Sequence, residues 1–202
     1  MIALIDYKAG NLTSVRKAFA AIGADLYDPL SPGDLGRAAA MVVPGVGHFG
    51  ATAALNGGWA AAIRSRVAEG RPLLGICLGL QWLFAGSEEA PDCPGLGLLS
   101  GTCYRLTGSA AEPAVKVPHV GWNSLAIERA APIVAGVATG SQVYFTHSFV
   151  APVTGDTVAV TEHGEPFAAI VQRGHIAGVQ FHPEKSGEVG LQILRNWLSR
   201  VN

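Results

Sequence analysis

Pro72-Leu73-Leu74-Gly75-Ile76-Cys77-Leu78-Gly79-Leu80-Gln81 is the stretch that decides the fold. Four apolar residues bounded by Pro72 and a glycine-rich bend read as a buried strand. The residues after Cys77 read as the start of a helix. Gly75 and Gly79 stand two positions on either side of the cysteine, the cysteine form of the nucleophile elbow. The glycines are needed because the nucleophile sits on a strained bend where strand and helix approach closely. Such a bend lifts the sulfur to the carboxyl end of a sheet and aims a helix N-terminus at it, which favours the thiolate.

The flanking pattern fits. Ile2–Asp6 reads as a strand, and Asn11 to about Ile22 as a helix with Leu12, Val15, Phe19 and Ile22 on one face, closed by Gly23. Met41–Val43 is a second buried strand, stopped by Pro44-Gly45-Val46-Gly47. Thr52 to about Glu69 reads as a helix, and the elbow helix as running to about Ala85. Strand–helix alternation of this kind implies a parallel sheet with helices on both faces. The second half changes character. Short strands and turns (101–106, 142–150, 157–162, 168–172 and 176–180) predict an antiparallel extension of that sheet, and a last helix spans about 187–201. The stretch 90–97, rich in Gly and Pro, reads as a loop.

The bulk properties bound the function. The 202 residues, 49% of them hydrophobic, suit one α/β domain over 1–202 rather than two. A net charge of −1 without a basic run argues against nucleic acid as the main partner. No apolar run reaches membrane-spanning length, and the N-terminus does not resemble a signal peptide. The three cysteines, Cys77, Cys93 and Cys103, make no disulfide framework and no zinc ribbon. The expectation is a cytoplasmic protein with no metal and no cofactor.

A sulfur nucleophile needs a base. Of six histidines, His182 in Gln180-Phe181-His182-Pro183-Glu184 is the candidate. It emerges at the end of an apolar strand. Glu184 lies two residues on, on the same side of an extended segment, where it can hold the ring in one tautomer. Acyl transfer also needs donors for an oxyanion. The turn 44–47 can present the N–H of Val46 or Gly47, and Leu78, directly after the nucleophile, can present another. Gln81, one helical turn past Cys77, is placed to read a carboxamide.

These motifs together resemble the class I (triad) glutamine amidotransferases. The resemblance implies a three-layer, flavodoxin-like α/β fold and a Cys77–His182–Glu184 triad that hydrolyses the side-chain amide of glutamine through a γ-glutamyl thioester. Four longer stretches (44–50, 116–123, 144–149 and 181–186), with 6–12 at the N-terminus, are most similar to one branch of that family, the glutaminase subunits of imidazole glycerol phosphate synthase, over the whole chain. Phe149 departs from the tyrosine common in that branch. The branch further implies Glu89, Ser148 and Phe149 as glutamine-binding residues. It places Asn11, Trp122, Tyr144 and Lys185 at a partner interface or along an ammonia path, and implies a (β/α)₈ cyclase subunit, HisF, as partner in a heterodimer. Without the resemblance, Trp122 and Tyr144 read as core aromatics, Lys185 as a solvated charge, and Glu88 and Glu89 as a loop acidic pair. His48, His119 and His147 have no spacing to an acid and read as structural or interface residues. Rival readings are a subunit serving anthranilate, aminodeoxychorismate or pyridoxal phosphate synthesis, or a free-standing cysteine hydrolase.

Overall fold

A computed structural model describes residues 1–108 and 115–201. In chain order the strands are β1 (Ile2–Leu4), β2 (Leu26–Tyr27), β3 (Ala40–Val43), β4 (Leu73–Ile76), β5 (Gly86–Ser87), β6 (Thr102–Arg105), β7 (His119–Ser124), β8 (Ala126–Ile127), β9 (Gln142–His147), β10 (Phe149–Val150), β11 (Thr157–Glu162), β12 (Pro166–Arg173) and β13 (Ile176–Val179). The α-helices are α1 (Leu12–Ala21), α2 (Gly58–Ala68), α3 (Leu78–Leu83) and α4 (Gly187–Leu198).

An eight-stranded sheet, ordered β2-β1-β3-β4-β13-β12-β11-β8, forms the middle layer. β2, β1, β3, β4 and β13 are mutually parallel, and β12, β11 and β8 extend the sheet antiparallel. β1, β3, β4 and β13 are buried on both faces, and their side chains alternate between two cores. Ile2, Leu4, Val42, Leu74 and Ile76 pack with Phe19 of α1 and Ile193, Leu194 and Trp197 of α4. Ala3, Met41, Val43 and Leu73 face the other way, onto Phe49, onto Ile63 and Val67 of α2, and onto Leu80 and Trp82 of α3. Burial of each large side chain contributes about 1.5–3 kcal/mol. The three-layer expectation therefore holds.

Two expected elements differ. The helix expected over 52–69 is split into a 3₁₀ turn at Phe49–Leu55 and α2. Asn56-Gly57-Gly58 breaks it, with Gly57 at φ 72°, a conformation that favours glycine. The antiparallel half is also only partly continuous with the main sheet. β7 and β9 form a separate ribbon, and β10, β6 and β5 a small separate sheet. β7 keeps only His119 buried, so it cannot lie inside a sheet covered on both faces.

Candidate active site

β4 and β13 are neighbouring parallel strands, so both deliver their following residues to one edge of the sheet. Cys77 follows β4 at φ 54°, ψ −108°, a strained conformation for a residue with a Cβ. The cost is sustained by the flanking glycines. A Cβ on Gly75 would lie 2.7 Å from the backbone of Gly79 and Leu80, and one on Gly79 would collide with the Val43 carbonyl. The elbow helix is shorter than expected, ending at Leu83, where the Phe84 backbone turns extended. Cys77 N–H donates to Val179 O at 2.8 Å, which locks the elbow to β13.

His182 arrives three residues beyond β13 and is 2% exposed. Its Nδ1 lies 2.8 Å from Glu184 Oε1, and both side chains are buried. A carboxylate only accepts, so Nδ1 carries the proton and Nε2 is the working nitrogen. The segment is clamped from β9: His182 N–H donates to Tyr144 O at 2.9 Å. The Ser186 hydroxyl donates to His182 O at 2.6 Å and accepts from Tyr144 N–H at 3.0 Å. Burial opposes protonation of the ring, but the Cys77 sulfur and the Glu184 carboxylate outweigh it and push the pKa up to about 10. Nε2 has no hydrogen-bond partner of good geometry among the described residues, yet the Cys77 sulfur lies near enough to be the strongest group raising the ring. Loose contacts of this kind are ordinary in an unliganded site. The sulfur instead accepts from Gln180 Nε2 at 3.8 Å.

A cavity of 240 Å³ opens over Cys77, lined by Gly47, Leu78, Gln81, Glu89, Pro118, Thr146, His147, Ser148 and Phe149. The expected binding residues meet there, but several are already engaged. Gln81 does not present a free amide: its Nε2 donates to Phe149 O at 2.8 Å and to Gln180 Oε1 at 3.3 Å. It therefore holds the cavity wall and orients Gln180 against the sulfur. Glu89 accepts from Phe49 N–H at 2.6 Å, which fixes its carboxylate at the rim. Ser148 O accepts from Leu106 N–H at 2.9 Å. The sequence offered one sign of Gln180, a polar residue at the end of an apolar strand beside His182.

Two of the three expected oxyanion donors, Val46 and Leu78, are not free in this geometry, whereas Gly47 lines the cavity. Val46 N–H donates to Ala9 O at 2.8 Å, and Leu78 N–H donates to Gly45 O at 3.3 Å. One peptide plane, Gly45–Val46, thus turns its N–H away from the cavity and its carbonyl onto the other expected donor. Gly47, at φ 93° with open space around it, leaves this turn conformationally free.

A match to the family model "Glutamine amidotransferase class-I" spans residues 4–201. The chain belongs to the class I glutamine amidotransferase family. Among curated proteins of this family it is 48% identical to "Imidazole glycerol phosphate synthase subunit HisH" of Geobacillus kaustophilus, over 98% of this chain and 96% of the relative. It is 45% identical to the subunit of the same name from Halobacterium salinarum, over 98% and 92%. A solved structure described as a glutamine amidotransferase shares the fold at TM-score 0.76 and 21% identity, covering 100% of this chain and 99% of the other. A PurLQS structure from Thermotoga maritima does so at 0.72 and 17%, covering 100% and 98%.

The remaining amidotransferase candidates lie outside the cavity. Trp122 is 57% exposed, which overturns the reading of it as core. It meets Tyr144 edge-on at 6.1 Å, and Lys185 Nζ stands 5.5 Å over the Tyr144 ring. These three form one patch on the outer side of the ribbon that clamps His182. Asn11 is exposed, where its side chain accepts from Ser14 N–H at 3.3 Å as the N-cap of α1, the helix that packs beside the Pro183–Lys185 turn. His48 likewise caps the turn at 49–55 through Gly50 N–H, 3.0 Å away. His119 and His147, read from sequence as partnerless, pair with each other at 3.3 Å, and His119 stacks on His163. Burial first, then the neighbouring imidazoles, holds both below the ordinary histidine range, His119 at about 4.

Proposed function

We propose that this chain is the glutaminase subunit of an imidazole glycerol phosphate synthase, a single amidotransferase domain acting in the cytoplasm without a cofactor. The observation that carries the chemistry is a buried, carboxylate-held imidazole beside a cysteine on a glycine-flanked elbow, facing a cavity sized for one small molecule. Cys77 attacks the side-chain carbonyl of glutamine and the C–N bond breaks. The imidazolium of His182 protonates the departing ammonia, and water then releases glutamate from the thioester, with His182 as base. Glu184 keeps the ring in the productive tautomer and stabilises its charge. Glu89 receives the glutamine ammonium, and the main chain of Ser148 and Phe149 receives its carboxylate.

Ammonia in water near neutral pH is largely protonated and no longer a nucleophile. A docked synthase reached by a dry path therefore fits this chemistry. We assign it to a (β/α)₈ cyclase, HisF, which converts the phosphoribulosyl intermediate PRFAR to imidazole glycerol phosphate and AICAR in histidine biosynthesis. The patch of exposed Trp122 and Lys185 about the half-buried Tyr144 supports a docking face there, and Asn11 is a further contact on this reading. In the isolated subunit the Gly45–Val46 peptide blocks the oxyanion position. Rotation of that one peptide would free Leu78 N–H and direct Val46 N–H into the cavity, with Gly47 as hinge. Partner and cyclase ligand would favour the turned state, a population shift.

The test is co-purification with a candidate cyclase, followed by glutamine-to-glutamate turnover with and without cyclase ligand. Ligand-stimulated glutaminase activity in the complex is expected. Equal rates for the isolated and docked subunit would remove the regulatory reading, and no glutamate at all would remove the glutaminase reading.

A further inference from the structure

Tyr7 is 8% exposed, and its hydroxyl is buried without a hydrogen-bond partner among the described residues. An unpaired buried hydroxyl is costly and rare in a native fold. Its position is informative. A Cβ on Gly45 would collide with Tyr7 Oη, and it would stand 3.2 Å from the ring carbon that bears the hydroxyl. The orphaned group therefore rests against the α-carbon of Gly45, at the edge of the peptide that must turn. The same added Cβ would lie 2.9 Å from Leu78 Cβ, so this corner also abuts the residue after the nucleophile.

Resting on the reading that this peptide rotates, we infer that Tyr7 is a positioning residue for glutamine hydrolysis. Its hydroxyl, unpaired beside Gly45 in the resting geometry, receives the Gly45 carbonyl when the Gly45–Val46 peptide turns its N–H into the cavity. The resting peptide is tied at both ends, to Ala9 O and to Leu78 N–H. Rotation breaks both ties and sends the carbonyl away from the cavity. The main-chain group that Val46 N–H leaves behind is the carbonyl of Ala9, an acceptor, and two acceptors repel. Tyr7, two residues before Ala9 on the same segment between β1 and α1, brings a donor to that corner. The turned state thus gains a hydrogen bond and pairs a hydroxyl that the resting state leaves unpaired.

Tyr7→Phe keeps the ring and deletes only the O–H. The variant is assayed in the docked complex with cyclase ligand present, beside wild type. The expected result is a fall in glutamine kcat of about ten-fold, the size of one net hydrogen bond. KM for glutamine should not change, because the cavity walls are untouched. The melting temperature should be equal or higher, because the resting state loses an unpaired group. A kcat equal to wild type overturns the proposal, and so does a parallel loss in KM or melting temperature, which assigns Tyr7 to packing. A crystal structure of the complex with Cys77 alkylated by a diazoketone analogue of glutamine is the second measurement. Gly45 O within about 3.2 Å of Tyr7 Oη supports the assignment, and a hydroxyl still unpaired there overturns it. A wild-type complex with no glutaminase activity would instead remove the amidotransferase reading, and this proposal with it.

Discussion

The two halves of the site are built to different standards. On one side, the elbow and the His182 segment are fixed by neighbouring parallel strands, a buried 2.8 Å imidazole–carboxylate contact and a clamp from β9. On the other, the turn 44–47 is held by two main-chain hydrogen bonds that both point it away from catalysis. Nucleophile and base need fixed distances, so they sit on the sheet. On the proposed reading the Val46 donor is withdrawn when no acceptor for ammonia is present, and it sits on a turn rich in glycine, while Leu78 stays on the elbow. A rigid half and a switchable half meet over one cavity.

The largest expected effect tests whether the rigid half carries all the glutamine chemistry. Cys77→Ser in the complex should lower glutamine-dependent synthesis by at least about 10⁴-fold. Synthesis from added ammonium salt should continue if, as proposed, the second active site lies on the partner; loss of both would break the two-site picture. Next is Glu184→Gln, which keeps the shape and loses the charge. A fall in kcat of about 10²–10⁴-fold is expected. The alkaline limb of the pH–rate profile should move to lower pH, because one of the two groups that raise His182 is gone.

Glycine substitutions sharpen the contrast. Gly79→Ala would force a methyl group into the Val43 carbonyl. It should cost about 3 kcal/mol or more of stability, read from urea unfolding midpoints. Gly47→Ala has open space but a φ of 93°. It should cost only about 1–2 kcal/mol, with its larger effect on ligand-stimulated turnover. At the partner face, Trp122→Ala should weaken cyclase binding by about 1–3 kcal/mol, as an exposed aromatic anchor does. Its melting temperature should barely change; a large drop would return Trp122 to the core.

The smallest expected effect is in the pH dependence of stability, where the histidines act with opposite signs. His119 and His147 have folded pKa values below the unfolded 6.5, so their contribution is full above that pH and is lost as pH falls toward 4. His182 is raised, so its contribution is full below 6.5 and is lost as pH rises through about 10. Unfolding midpoints from pH 4 to 10 should therefore fall at both ends. A flat acid side would break the assignment of the buried pair as neutral.

Much of this was legible in the chain. Periodic apolar residues place α1, β3 and β4, and the glycines about Cys77 mark the elbow, because a strained bend beside close packing admits almost nothing else. His182-Pro183-Glu184 is equally readable, since two residues of extended chain put ring and carboxylate on one side. The split of the helix expected at 52–69 was marked by Asn56-Gly57-Gly58 but outweighed by its apolar flanks. Apart from the resemblance, which put Trp122 at an interface, its exposure was not readable, because an aromatic on an alternating strand faces core or solvent according to what pairs with that strand.

The amino-acid sequence by itself determined which groups react and in which local conformation, because elbows and His-x-Glu spacings are short-range facts of backbone geometry. Only the tertiary structure decided what each donor already holds: Gln81 bound to Phe149 and Gln180, Val46 to Ala9, Leu78 to Gly45, and Tyr7 to nothing. Each N–H or O–H hydrogen has one direction in which to donate. Where it goes depends on which distant segment folding brings alongside, and no local pattern encodes that neighbour.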